Sequence, residues 1–179
     1  MSRPTEPDPA QPVVSVFGRD WDAFWPHILR AMEAEMGAVD YISDPFPFTE
    51  TDYYNGELGT PIQRRILAFE ALIDPVRLVD IKWLLNDLEA EHAREDGTRR
   101  VNADPGILSL ERLVLATGKE FSHRIYLGRG IWADLTLLYQ RGGWRSLPWT
   151  FPDYAGERMQ AILSRIRSAY KAKLRARSF

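Results

Sequence analysis

The sequence contains no cysteine, which excludes disulfides, thiol nucleophiles and cysteine-ligated zinc. No apolar run approaches the ~18 residues of a membrane span, and the N-terminal stretch lacks a signal-peptide core. Those two absences predict a cytoplasmic protein with no membrane partner. Neither sign of charge prevails: 23 basic against 25 acidic residues leave a formal charge of −2. No global field therefore draws the chain to nucleic acid, despite a basic KAKLRAR tail and an RRVN stretch. The three histidines, His27, His92 and His123, are too scattered to suggest a multi-histidine metal centre. Also missing are the phosphate loop ending in Gly-Lys, Gly-x-Gly-x-x-Gly, His-Glu-x-x-His and Gly-x-Ser-x-Gly.

What is present suits one folded domain. The chain has 179 residues, 45% of them hydrophobic, enough to bury roughly two-thirds of its unfolded surface. Residues 1–12 carry four prolines and no periodicity, and read as a flexible leader before a single domain over 13–179. Residues 13–17 (VVSVF) form a β-branched run, a buried strand. Trp21, Phe24, Trp25, Ile28, Leu29, Met32 and Met36 then fall at helical spacing, with Asp20 as N-cap and Gly37 past the end. Residues 38–42 read as a second strand, 49–61 as an exposed polar loop, and 64–73 (RRILAFEALI) as a strand covered on both faces. Asp74-Pro75 starts a second helix with an apolar stripe through Leu78, Ile81, Leu85 and Leu88. A strand from Val101 stops at Asp104-Pro105-Gly106, and Leu113 to Ala116 makes another. A hairpin over 122–139 turns at Gly128-Arg129-Gly130, and a last helix carries Met159, Leu163, Ile166 and Tyr170 on one face. The order predicts an α+β fold: a ferredoxin-like βαββαβ core with an antiparallel sheet, extended by a C-terminal hairpin and helix. Alternating β and α would also permit a doubly wound sheet; the long hairpin favours the antiparallel arrangement.

Counting back from the turn pairs Leu127 with Ile131, Ile125 with Ala133 and His123 with Leu135 on an apolar side. Arg124 with Asp134, Tyr126 with Trp132 and Ser122 with Thr136 fall on a polar, aromatic side. That polar side is either a solvent-facing surface held by an Arg124–Asp134 pair, or the wall of a ligand site in which Arg124 grips an anion. His123 is either a hydrogen-bonded core histidine or a proton carrier. Asn102 and Asp104 lie either in a plain turn or at the end of a central strand, where acids are held for catalysis or metal binding. Glu70, inside an apolar strand, needs a partner or a shifted pKa. Lys82, Asn86 and Glu89 make one polar stripe on the second helix, and such stripes are mostly solvated. Asp52, Tyr53 and Tyr54 sit in the polar loop, where adjacent tyrosines suit contact better than solvent.

The strings TDYYNGELG, RRILAFEALIDPVRLVDIKWLLNDLE, RRVNADPGILSLERLVLATGKEFSHRIYLGRGIWADLTLLY and PWTFPDY together resemble the uncharacterised bacterial family known as domain of unknown function 4416. The resemblance runs from about Val13 to Tyr170. Its pattern has tyrosine where this chain has Ile107, Trp132 and Phe151, and glutamate where it has Asp134. It implies no activity, only candidate positions: among them Asp52, Tyr53, Tyr54, Glu70, Lys82, Asn86, Asn102, Asp104, Lys119, His123, Arg124 and Trp149.

The expected function is binding of, or action on, an anionic small molecule bearing phosphate or a nucleotide. Lys119 and Arg124 would hold the anion; Asp104 and Glu70 would serve as acid, base or Mg²⁺ ligands; His123 would carry a proton; Tyr53, Tyr54 and Trp149 would stack on a planar part. The competing expectation is a non-enzymatic interaction or homo-oligomerisation domain, built on the aromatic loops and six tryptophans.

Overall fold

The computed structural model describes residues 3–177. Nine strands form one antiparallel sheet: β1 (Gln11–Gly18), β2 (Val39–Ile42), β3 (Phe46–Pro47), β4 (Gln63–Phe69), β5 (Val101–Leu108), β6 (Arg112–Thr117), β7 (Ile125–Gly128), β8 (Ile131–Gln140) and β9 (Gly143–Ser146). Their order is β2-β4-β1-β5-β6-β8-β7, with β3 beside β4 and β9 beside β8. Helices α1 (Trp25–Met36) and α3 (Leu78–Glu91) follow β1 and β4; α2 (Asn55–Leu58) and α4 (Pro152–Ala155) are single turns; α5 (Glu157–Arg177) closes the chain.

Alternation along β1 separates two cores. Val14 and Val16 meet Ile28, Met32 and Met36 of α1 and Ile81, Leu85 and Leu88 of α3. Val13 faces the other way, into a layer with Leu115 and Leu137 under Met159, Leu163, Ile166 and Tyr170 of α5. Each such buried side chain contributes about 1.5–3 kcal/mol of transfer free energy. Asp74 caps the second helical segment as its sequence indicates, accepting from the Val76 amide at 3.1 Å. Asp20 makes no side-chain cap; a 3₁₀ turn over Trp21–Ala23 intervenes and α1 starts at Trp25.

The structure departs from the sequence expectation in several places. β1 starts at Gln11 rather than Val13, because Gln11 donates to the Phe69 carbonyl at 2.7 Å and Ala10 bridges to Ile73. Of the expected leader, Met1 and Ser2 lie outside the described residues. β4 ends at Phe69, so Glu70 is exposed beyond the strand instead of buried within it. β5 does not stop at Asp104-Pro105-Gly106 but runs through to Leu108. Pro105 is tolerated because β6 pairs with β5 only over Gly106–Leu108, so the missing N–H falls on an open edge. Gly106 is needed where the pairing begins: a Cβ there would meet Leu115 Cδ2 and the Val114 carbonyl, each at 2.8 Å.

Candidate functional site

The strand registers decide which polar side chains share a face. Asp104 lies opposite Ser15, and Asn102 opposite Phe17. Phe17 in turn faces Arg64 on β4. Gly106, two residues on from Asp104, opposes Leu115, which opposes Asp134. Asp104 and Asp134 therefore project from the same face of the sheet, the α5 side, two strands apart.

The first cluster fills the opening where β5 and β6 diverge. Lys82 of α3 reaches Asp104 Oδ1 at 3.0 Å and the Ala103 carbonyl at 3.3 Å. Glu89, two turns further along α3, accepts from the Ala103 amide at 2.7 Å. The unpaired strand edge is thus satisfied by two side chains of one helix face, and the Lys82 and Glu89 stripe is buried rather than solvated. Arg99 completes the network. It holds Glu57 of α2 through two nitrogens at 2.7 and 2.8 Å, Glu89 at 3.2 Å and Asn102 Oδ1 at 2.6 Å, while Asn102 donates to Asp104 Oδ2 at 2.6 Å. Hydrogen bonds from Arg99 hold the Glu57 carboxyl below the usual range. Burial pushes Glu89 above it, with the Lys82 charge opposing.

The second cluster surrounds Asp134. Its Oδ2 accepts from Arg124 Nε at 2.8 Å and lies 3.3 Å from His123 Nε2. The expected Arg124–Asp134 pair forms, but buried, the carboxylate being only 3% exposed. The pairings of Ile125 with Ala133 and Tyr126 with Trp132 hold; Gly128, not Leu127, opposes Ile131 because the register shifts. His123 precedes β7 and shares the carboxylate with Arg124 instead of facing an apolar side. Exposure does not follow the two sides: Thr136 and Ile131 are buried, whereas Ile125, Tyr126 and Leu127 are all exposed. The cause is cover. The segment over 147–151 lies on β8, where Trp149 donates to the Leu135 carbonyl and Thr150 to that of Thr136, while β7 has only β8 beside it. Trp149 also stacks on His123, ring centroids 4.8 Å apart at 13°.

The polar loop joins the two clusters. Lys119 Nζ stands 4.7 Å from the Tyr53 ring centroid and 3.3 Å from its hydroxyl. Tyr53 meets Tyr54 edge-on at 4.9 Å, and Tyr54 lies 6.0 Å from the Arg99 guanidinium. Burial, then the negative field of Asp104, push the Tyr54 hydroxyl up to about 12.

Tyr53, Tyr54, Lys82, Asn102, Asp104, Lys119, His123, Arg124 and Trp149 thus belong to two linked clusters. Asp52 is on the same loop but binds Asn55 at 2.8 Å, a turn contact. Asn86 is half-buried on α3 and Glu70 stands at the other end of β4, beyond Phe69. Glu70 and Asp104 therefore do not form the expected acid pair, and no group of three or more His, Asp or Glu among the described residues is arranged to hold a metal ion. Sequence reasoning placed Glu57 in the polar loop with Asp52, Tyr53 and Tyr54 but missed Arg64, Arg99 and Ser15. Arg64 is buried, paired with Asp153 at 2.7 Å and packed 4.4 Å from the Phe48 ring centroid. Its Nε finds no hydrogen-bond partner among the described residues. An arginine in an apolar strand was the available signal, and Arg64 stood in plain view at the start of RRILAFEALI.

Fold and site together define an α+β protein whose antiparallel sheet is covered by helices on both faces and carries a polar patch on one of them. The chain belongs to the family described as Domain of unknown function (DUF4416), whose model matches residues 8–170. No curated protein and no solved structure matches it significantly.

Proposed function

We propose that the patch between the polar loop and the β6–β7 connection binds an anionic small molecule bearing phosphate or a nucleotide. The observation that carries this reading is the Lys119–Tyr53 contact, which sets an exposed cation on an exposed ring between two polar clusters. Lys119 is the cation least committed to a carboxylate: Lys82, Arg99 and Arg124 each hold one. Arg124 spends Nε on Asp134 and Nη1 on the Lys119 carbonyl, while its Nη2 makes no hydrogen bond among the described residues. His123, oriented by the buried Asp134 carboxylate and by Trp149, suits proton transfer to a bound group. Asp104, held by Lys82 and Asn102, is a fixed carboxylate at the other side, and Tyr53 offers a ring to a planar part.

A ferredoxin-like core is part of the same reading. The antiparallel order β2-β4-β1-β5 and the shared hydrophobic layer of α1 and α3 support it.

Thermal denaturation with inorganic phosphate, pyrophosphate, AMP and ATP tests the binding. At least one of these anions raises the melting temperature of the wild type, and Lys119→Ala, a substitution at an exposed position, loses most of that rise while keeping its own unliganded stability. Equal stabilisation of both proteins by every anion would remove the reading.

A further inference from the structure

The sheet ends in two very different edges. At one end β2 carries Asp40, tied to Lys173 of α5 at 2.6 Å, a charge of the kind that blunts strand pairing. At the other end β7 (IYLG) has no charged residue and no proline, and its outer edge is unpaired. Its side chains are open to solvent on both faces: Ile125 is 69% exposed, Tyr126 56% and Leu127 42%, and Phe121, in the connection before the strand, is 62% exposed. Three large apolar groups on one open strand edge, with a fourth in the connection leading into it, are not the scattered exposure that ordinary surfaces show.

We propose that this edge is the docking surface for a second copy of the chain, the two β7 strands pairing antiparallel about a two-fold axis. An antiparallel strand edge is its own complement, so an isologous contact matches N–H to C=O and apolar side chain to apolar side chain with no second surface required. The neutrality of β7 leaves no like charges to oppose across the axis. The four side chains expose at most about 500 Å² per copy, an upper bound on the order of 1,000 Å² for the pair, which is where specific interfaces begin. The dimer is therefore concentration-dependent rather than obligate. It would also cover Phe121, whose ring lies 5.2 Å from that of His123, and so close one side of the polar patch. The inference stands on the strand edge alone and does not depend on any ligand.

Sedimentation velocity over a dilution series tests it, with Ile125→Lys, Leu127→Lys and, at the opposite edge, Ile42→Lys. The wild type and Ile42→Lys shift from dimer to monomer on dilution, while Ile125→Lys and Leu127→Lys associate at least about tenfold more weakly with unchanged circular dichroism. Hydrogen exchange of the concentrated wild type slows at the amides of Ile125–Gly128. A wild type that stays monomeric at the highest concentration, or a dimer that survives both β7 lysines, or one broken by Ile42→Lys alone, overturns the proposal.

Discussion

Lys82 and Asp104 approach each other from opposite faces of the sheet and meet 3.0 Å apart through the opening between β5 and β6. A lysine on a leucine-striped helix is thereby held under a carboxylate that belongs to the other face. The opening exists because β6 takes up pairing only at Gly106, and Lys82 and Glu89 fill the strand edge left behind. The fold's irregularity and its polar clustering share one origin.

That relationship predicts strong coupling. Lys82→Met leaves the Ala103 carbonyl without its donor and Asp104 with Asn102 alone. Breaking a buried pair costs about 3–5 kcal/mol, and the partial exposure of Asp104 reduces this to about 2–3 kcal/mol. Asp104→Asn keeps an oxygen for Lys82 and costs about 1 kcal/mol. The double variant falls short of the sum by about 1 kcal/mol or more in urea unfolding. Strict additivity would mean that the two groups do not interact in solution.

Gly106→Ala tests the start of the pairing. The added methyl meets a backbone carbonyl as well as a leucine, so side-chain rotation cannot relieve it. Overpacking of this kind costs about 1–3 kcal/mol, and backbone involvement places this case at the upper end. Gly118→Ala, with open space around its Cβ, costs a few tenths at most and serves as the comparison. Equal costs at the two positions would show that β5 and β6 are less closely paired than described.

The parts legible in the sequence are those set by local rules. The Asp74-Pro75 start, the stripe of α5 and the Ile125–Ala133 pairing follow from capping, periodicity and counting back from a turn. Burial was harder to read. Lys82 and Glu89 look like a solvated stripe because nothing local announces that β5 lacks a second neighbour, on its β6 side, over Val101–Pro105, and Asp104-Pro105-Gly106 has the composition of a turn while serving as a strand. Arg124 and Asp134 were paired correctly by register, yet only the distant segment containing Trp149 and Thr150 makes that pair a buried one. Tertiary cover, not local preference, sorts these residues into surface and site.

Arg99 binds two carboxylates whose environments differ, and acid titration separates them. Glu57 lies on the open side, and its bidentate bonds to Arg99 favour the charged form, holding its pKa below the ordinary 4.5. Glu89 is enclosed between α3 and β5, where burial outweighs Lys82 and Arg99 and raises its pKa above 4.5. The signs for stability are opposite. Glu57 contributes stability that is present above pH 4.5 and lost as pH falls through its folded pKa; the contribution linked to Glu89 is present below pH 4.5 and lost as pH rises through its folded pKa. Carboxyl NMR titration should therefore show Glu57 protonating at lower pH than Glu89. Glu57→Gln flattens the acid limb of the stability curve, and Glu89→Gln removes the decline above it. Arg99→Lys, which keeps the charge but loses the fork, returns Glu57 toward 4.5 while leaving Glu89 raised, since burial is what dominates there. A Glu89 that titrates with or below Glu57 would mean that water reaches the opening between β5 and β6, and the buried polar network built on Lys82 would no longer hold.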